Sequence, residues 1–308
     1  MIVRPKLHWF PLLFVLRGSV LPSIAPRLLG TTLLAVFVTV IHGQVLNWKV
    51  SLTFVPFSLI GLTLAIFLSF RNSTAYARFW EARSLWGELL NTSRTLAAQT
   101  LTLPQPADPA GARDFIHRLC AFAFALKHQL RATPRDALTR DLALFLPDAE
   151  AQAVASAPQP TARLLLQLHA WVGERLQRGA IGPAVVPVFE RGLAEVSHAL
   201  GGCERIASTP IPFTYTVIIQ RSVYLYCVLL PFGLVDTLGW MTPAMVCFVA
   251  YTFLALEAVG AELEDPFGTE PNDLPLDALS HGIEASLLRL IDEPPRTPEP
   301  QAVDYVLR

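Results

Sequence analysis

The chain is short of charge. Only 16% of its 308 residues are Asp, Glu, Lys or Arg, 52% are hydrophobic, and the mean hydropathy is +0.43. Soluble domains carry about 25% charged residues, so much of this chain faces something other than water. Acids are missing altogether from residues 1–70, which hold Arg4, Lys6, Arg17, Arg27 and Lys49. The four cysteines, Cys120, Cys203, Cys227 and Cys247, lack CxxC spacing, which argues against a disulfide framework or a zinc site. There is no GxGxxG, Walker GK[ST], HExxH or GxSxG, and the seven histidines are dispersed, so no local signature of an enzyme is present. Alternating strand patterns are almost absent. The N-terminal run with Arg4, Lys6, Pro11 and Arg17 has no small-residue cleavage site and does not read as a signal peptide.

What the chain does have is long apolar runs. Residues 28–48 and 50–70 are uncharged, 206–235 is interrupted by Arg221 alone, and 237–256 is again uncharged. A bilayer-spanning helix needs about 20 such residues. The connections within each pair are short, which predicts two helical hairpins. Arg4, Lys6, Arg17 and Arg27 precede the first run, Arg71, Arg78 and Arg83 follow the second, and Arg205 precedes the third, while Lys49 alone sits in the opposite loops. Basic residues stay on the cytoplasmic side, so both termini and the middle region are expected there.

The expected fold is an all-α membrane protein. It comprises a cytosolic N-terminal segment (1–27), a transmembrane hairpin (28–70), a helical cytosolic domain (71–205), a second hairpin (206–260), and an acidic loop, helix and tail (261–308). In the middle region Phe115, Leu119, Phe122 and Leu126 recur at helical spacing, with Arg118, Lys127 and Arg131 on other faces. His117 and His128 on this helix read as a solvated or packed pair. Thr133-Pro134-Arg135-Asp136 predicts a helix start capped by Thr133. Residues 149–160 are expected to be a loop, 161–178 and 184–207 amphipathic helices, and about 276–291 a further helix after a turn-rich acidic stretch.

Leu62, Ile66 and Phe70 fall at i, i+4 and i+8 on one face of the second run. Around an axis shared by several copies, this stripe would line an apolar tube about 12 Å long at 1.5 Å rise per residue, and such a tube gates ions by dewetting. The same stripe would equally serve to pack against neighbouring helices. Arg71, Arg78 and Arg83 would either draw anions toward a vestibule or pair with acids of another element. Arg221 inside an apolar run sits at the membrane boundary or pairs with an acid such as Glu257. Pro56, Pro210, Pro212, Pro231 and Pro243 read as helix starts and kinks. The acidic stretch 262–273 offers oxygen ligands but lacks EF-hand spacing, and it would serve equally to answer the basic N-terminal segment.

Phe70-Arg71-Asn72-Ser73-Thr74-Ala75-Tyr76-Ala77-Arg78-Phe79-Trp80-Glu81-Ala82-Arg83 closely resembles the bacterial branch of the bestrophin family, with Arg78-Phe79-Trp80 at its Arg-aromatic-Trp signature. Ile211-Pro212-Phe213-Thr214-Tyr215 resembles the start of that family's third helix, and Asp265-Pro266-Phe267-Gly268-Thr269-Glu270 its Pro-Phe-Gly-acidic segment. The order and four-segment layout agree over roughly residues 5–290. The resemblance implies a homopentameric channel in the bacterial inner membrane, with small monovalent ions and the lipid bilayer as partners and no nucleic acid. It makes Leu62, Ile66 and Phe70 the hydrophobic neck and Ile181 the constriction at the cytosolic exit. Animal members bind calcium through acids of the Pro-Phe-Gly segment. Glu270 and Asp273 match those clasp positions, but the longer Glu side chain and the nearby Pro271-Asn272 imply no calcium dependence, and no other cofactor is expected. The animal relatives conduct chloride, while aliphatic walls at Leu62 and Ile66 leave room for a cation preference. The competing expectations are a secondary transporter working around Arg221 and Glu257, and a membrane-anchored scaffold.

Overall fold

The computed structural model describes residues 1–307 apart from 6, 7, 13, 17, 43, 46, 47 and 50–53. Lys6 and Arg17 of the basic N-terminal set, and the start of the second apolar run, therefore lie outside the described residues. The chain divides into two compact units. An apolar unit contains Ile2–Phe79 and Pro210–Pro266, and a polar unit contains Met1, Trp80–Thr209 and Phe267–Arg308.

In the apolar unit a four-residue turn of helix, α1 (Trp9–Leu12), precedes α2 (Leu21–Val40). A two-residue hairpin, β1 (Gln44–Val45) with β2 (Trp48–Lys49), leads into α3 (Phe54–Thr102), one unbroken helix of 49 residues that enters the polar unit at Trp80. The apolar unit is completed by α9 (Phe213–Leu238) and α10 (Thr242–Glu264). Gly239, at φ +51°, breaks the run between these last two, and Pro243 opens α10 at a position where a missing N–H costs nothing. Leu21–Val40, Val55–Thr102 and Phe213–Glu264 are long and apolar enough to cross a membrane, the last stretch comprising both α9 and α10.

The core of this unit is Ile24 and Ala35 of α2, Phe57, Leu64 and Leu68 of α3, Val223, Tyr226 and Leu230 of α9, and Val246, Ala250 and Phe253 of α10. Tyr226 is its centre, with ring centroids 6.1 Å from Phe57 and 5.3 Å from Phe253 in an edge-to-face pair with the latter. Lipid tails are as apolar as leucine, so helices in a bilayer are held by close packing and polar ties and gain little from burial alone. Yet only 22% of the apolar window of α3 is buried within the chain. The remainder is surface that lipid or other copies must cover.

The third apolar run begins later than its composition suggests. Residues 206–208 complete α8 (Val186–Ser208) of the polar unit, and α9 starts only at Phe213. Pro210 and Pro212 force the break: each lacks an amide hydrogen and disfavours a helical conformation in the residue before it.

The polar unit is all-helical among its described residues. Its axis is α4 (Pro109–Leu130), surrounded by α5 (Arg135–Ala143), α7 (Pro160–Gln177), α8 and α11 (Leu276–Leu288). The stripe Phe115, Leu119, Phe122 and Leu126 is fully buried, and Phe115 forms an aromatic triangle with Trp171 and Phe189. Two expectations need correction. Residues 149–160 are not a loop, because α6 (Asp148–Ala155) occupies most of them. Alanine is the best helix former, and Asp148 and Glu150 in the first turn complement the helix dipole. The cap of α5 falls on Pro134, without a side-chain bond, because the Thr133 hydroxyl is engaged by His128 Nδ1. Lys127, off the apolar stripe, is 8% exposed and bridges Asp141 at 2.9 Å and Asp277 at 3.2 Å.

His128 Nε2 also meets Asp141, at 2.7 Å, and Arg131 meets Asp277, at 2.7 Å, so α4, α5 and α11 share one polar cluster. Burial by itself would raise the pKa of both aspartates. Hydrogen bonds from His128 and Lys127 to Asp141, and from Arg131 and Lys127 to Asp277, outweigh it and hold both below the ordinary 3.8. A carboxylate depressed in the folded state contributes stability that is present above its unfolded pKa and lost as pH falls through the folded one. Helix melting of the full-length protein, followed by circular dichroism, is therefore expected to shift to lower temperature as pH drops below 3.8, with Asp277→Asn reducing that dependence.

Candidate functional site

The site is built on α3. Leu62, Ile66 and Phe70 are 61%, 48% and 65% exposed, although they are among the largest apolar side chains of the helix. Val55 and Leu59 extend the same exposed face toward the helix start. Phe57, Leu64 and Leu68, by contrast, point into the bundle. The outward face is thus distinct from the packing face, and the packing function is already served by other residues.

One residue beyond Phe70 the chemistry changes. The Arg71 side chain is 1% exposed. Its Nη1 donates to the Glu257 carbonyl at 3.3 Å and lies 3.8 Å from Glu257 Oε1, and its Nη2 donates to Glu264 Oε2 at 3.2 Å. Glu257, on α10, is 3% exposed. It accepts from Gln220 Nε2 of α9 at 3.1 Å and faces Arg27 Nη1 of α2 at 3.5 Å. One carboxylate therefore gathers a side chain from each of α2, α3 and α9 onto α10. Two neighbours complete the tie: Asn72 Nδ2 donates to the Leu256 carbonyl at 3.1 Å, and Arg78 Nε donates to the Glu264 carbonyl at 3.2 Å. Cations at the end of a helix satisfy its orphan carbonyls and complement its dipole. Arg78, the basic member of the Arg-Phe-Trp signature, thus closes the C-terminus of α10, while Phe79 is half-buried and Trp80 is 60% exposed.

The pairing of Arg221 with Glu257 is not formed: Arg221 is exposed and its neighbour Gln220 takes the position. Successive residues on a helix point about 100° apart, so only one of the two can face α10. Sequence reasoning passed over Gln220, Asn72 and Glu264, although a glutamine inside an otherwise apolar run is itself a signal that a buried partner exists.

The remaining predicted residues lie outside this cluster. Pro266 and Phe267 are buried, Asp265 is exposed, and Gly268 is half-buried. Asp273, 3% exposed, accepts the Glu270 amide on Oδ2 at 2.6 Å, while the Glu270 side chain is exposed. The Asp273 carboxylate thus closes a turn onto the Glu270 amide. Among the described residues no group of three or more His, Cys, Asp or Glu is placed to hold a metal. Ile181 is 3% exposed within its own chain. Gly182 and Pro183 beside it hold the exposed positions.

A bundle of apolar helices tied by a buried ion pair, with a continuous apolar face left outward, defines a helical membrane protein. The chain belongs to the bestrophin family: a family model described as Bacterial/Fungal Bestrophin protein matches residues 1–289. A voltage-dependent anion channel-forming protein of Ralstonia nicotianae is 46% identical over 309 residues, covering 100% of both chains. One of the same name from Escherichia coli is 43% identical over 294 residues, covering 95% of each. The crystal structure of a bacterial bestrophin homologue from Klebsiella pneumoniae superposes with a TM-score of 0.84 at 43% identity, covering 88% of this chain and 100% of that one.

The hub also depends on close approach. A Cβ added at Gly260 would lie 2.2 Å from Asn72 Oδ1, so a side chain there must push the Asn72 amide from its bond to the Leu256 carbonyl. Gly260→Ala is expected to destabilise the bundle by about 1–3 kcal/mol, read as a lower melting temperature in detergent. Gly30→Ala, where nothing lies within 4 Å, should leave it nearly unchanged.

Proposed function

We propose that this protein is a bestrophin-type ion channel that passes small monovalent ions through a homopentameric pore in the bacterial inner membrane, with both termini cytoplasmic. The observation that carries the reading is the outward face of α3, where Leu62, Ile66 and Phe70 are left exposed by a helix that packs through other residues. In a channel family, an outward apolar face on one helix supports the reading of a pore wall. Five copies around an axis would set three apolar rings along about 12 Å, and water deserts so narrow an apolar passage until it widens. The ion then has nothing to replace its hydration shell, and the barrier falls only when the neck dilates.

The names of the relatives favour anions, and Phe70 offers ring edges that suit an anion better than do the aliphatic walls at Leu62 and Ile66. A secondary transporter is disfavoured, since Glu257 is engaged by three helices and Arg221 does not face it. No catalytic role and no calcium requirement is proposed. The helical polar unit and the acidic loop are assigned to the cytoplasm, where the basic residues flanking the apolar runs would hold them.

Ile66→Ala in proteoliposomes is expected to raise ion flux several-fold by removing the middle ring, with the oligomer unchanged on size-exclusion chromatography. Equal flux from folded assemblies would refute the neck assignment. Adding calcium to the wild type should leave flux unchanged.

A further inference from the structure

We infer that Glu257 is a positioning and charge-masking residue for the neck: it holds α3 in register with the other three apolar helices and neutralises Arg71 next to the ion path. This rests on the neck reading above. Arg71 directly follows Phe70, and both line one cavity of about 430 Å³ in the apolar unit, together with Thr74, Pro212, Tyr215 and Ile218. The guanidinium is thus buried against the bundle yet borders space beside the neck. Its Nε has no hydrogen-bond partner. What keeps this cation from acting as an exposed positive ring is the pair of carboxylates on α10, Glu257 at 3.8 Å and Glu264 at 3.2 Å.

The consequence of removing Glu257 follows from the geometry. A buried charge left with one carboxylate, Glu264, in place of two is less fully neutralised, and it recruits water or a mobile counter-ion. Here the nearest such space adjoins Phe70, so hydration of Arg71 wets the end of the neck and lowers the dewetting barrier. The counter-ion it recruits is an anion, so flux and anion preference rise together. Arg27 loses its charged partner at the same step, while Gln220 keeps an amide oxygen to donate to, so the tie of α2 to α10 weakens as well.

The test uses full-length protein in proteoliposomes under a KCl gradient, with wild type, Glu257→Gln, Ile66→Ala and the double variant. Glu257→Gln is expected to raise flux roughly tenfold, as the loss of a charge-assisted bond implies, and to move the reversal potential toward the chloride equilibrium value. In the Ile66→Ala background, where the barrier is already lowered, Glu257→Gln should add less than about twofold, the non-additivity expected of coupled residues. An unchanged reversal potential, a shift toward potassium, or effects that simply multiply would overturn the inference. A general packing defect would not change ion preference. Flux unaltered by Ile66→Ala alone counts against the neck, whereas the reversal potential of Glu257→Gln judges the masking separately. Should Glu257→Gln fail to assemble, Glu264→Gln unmasks the same guanidinium from a less buried position and must shift the reversal potential in the same direction.

Discussion

Burying a charge in an apolar bundle constrains everything around it. Arg71 and Glu257 are each almost wholly removed from solvent, and they are held there by each other together with Glu264, Arg27 and Gln220. Arg71 belongs to α3, and Glu257 to α10. Arg27 and Gln220 reach the same carboxylate from α2 and α9, which makes one side chain the meeting point of all four long apolar helices. Because attraction between apolar surfaces is weak in lipid, a polar tie of this kind fixes the rotation of α3 where burial alone would not.

The proposed neck depends on that rotation. A turn of α3 about its axis would bring Leu62, Ile66 and Phe70 into the bundle and expose Leu64 and Leu68 instead. The interaction at Arg71 excludes this arrangement. Close packing nearer the start of α3 adds to the constraint: a Cβ at Gly233 would lie 2.7 Å from the Phe57 ring, so α9 and α3 interlock where the glycine leaves room. The signature arginine Arg78 acts in the same sense, satisfying the end of α10 through the Glu264 carbonyl. The two arginines therefore read as structural fasteners, and the acids they meet come from a segment almost two hundred residues later in the chain.

The polar unit uses the same logic in a wetter setting. Lys127 is buried on α4 and bridges aspartates of α5 and α11, and Arg118 is ringed by Asp114, Glu150 and Gln167. Charged residues that periodicity places off the apolar stripe thus become inter-helix ties, because α4 is enclosed on nearly every side. Periodicity identifies which residues are apolar neighbours. It does not say how many sides of a helix are covered.

Local chemistry in the sequence was enough to determine the helical class, the long apolar runs, the breaks at proline and the stripe of Leu62, Ile66 and Phe70, since each depends on residues within a few turns of one another. The resemblance of Phe70–Arg83 and the Pro-Phe-Gly segment carried the family. Tertiary structure alone decided that Glu257 meets Arg71, Arg27 and Gln220 and not Arg221, that Lys127 is buried, that Thr133 serves His128 and leaves α5 uncapped, and that Ile181 turns inward. Each of these is settled by which distant helix lies opposite a given face. Nothing in the spacing of one segment records the rotation of another, so the sequence could name the charged residues but not their partners.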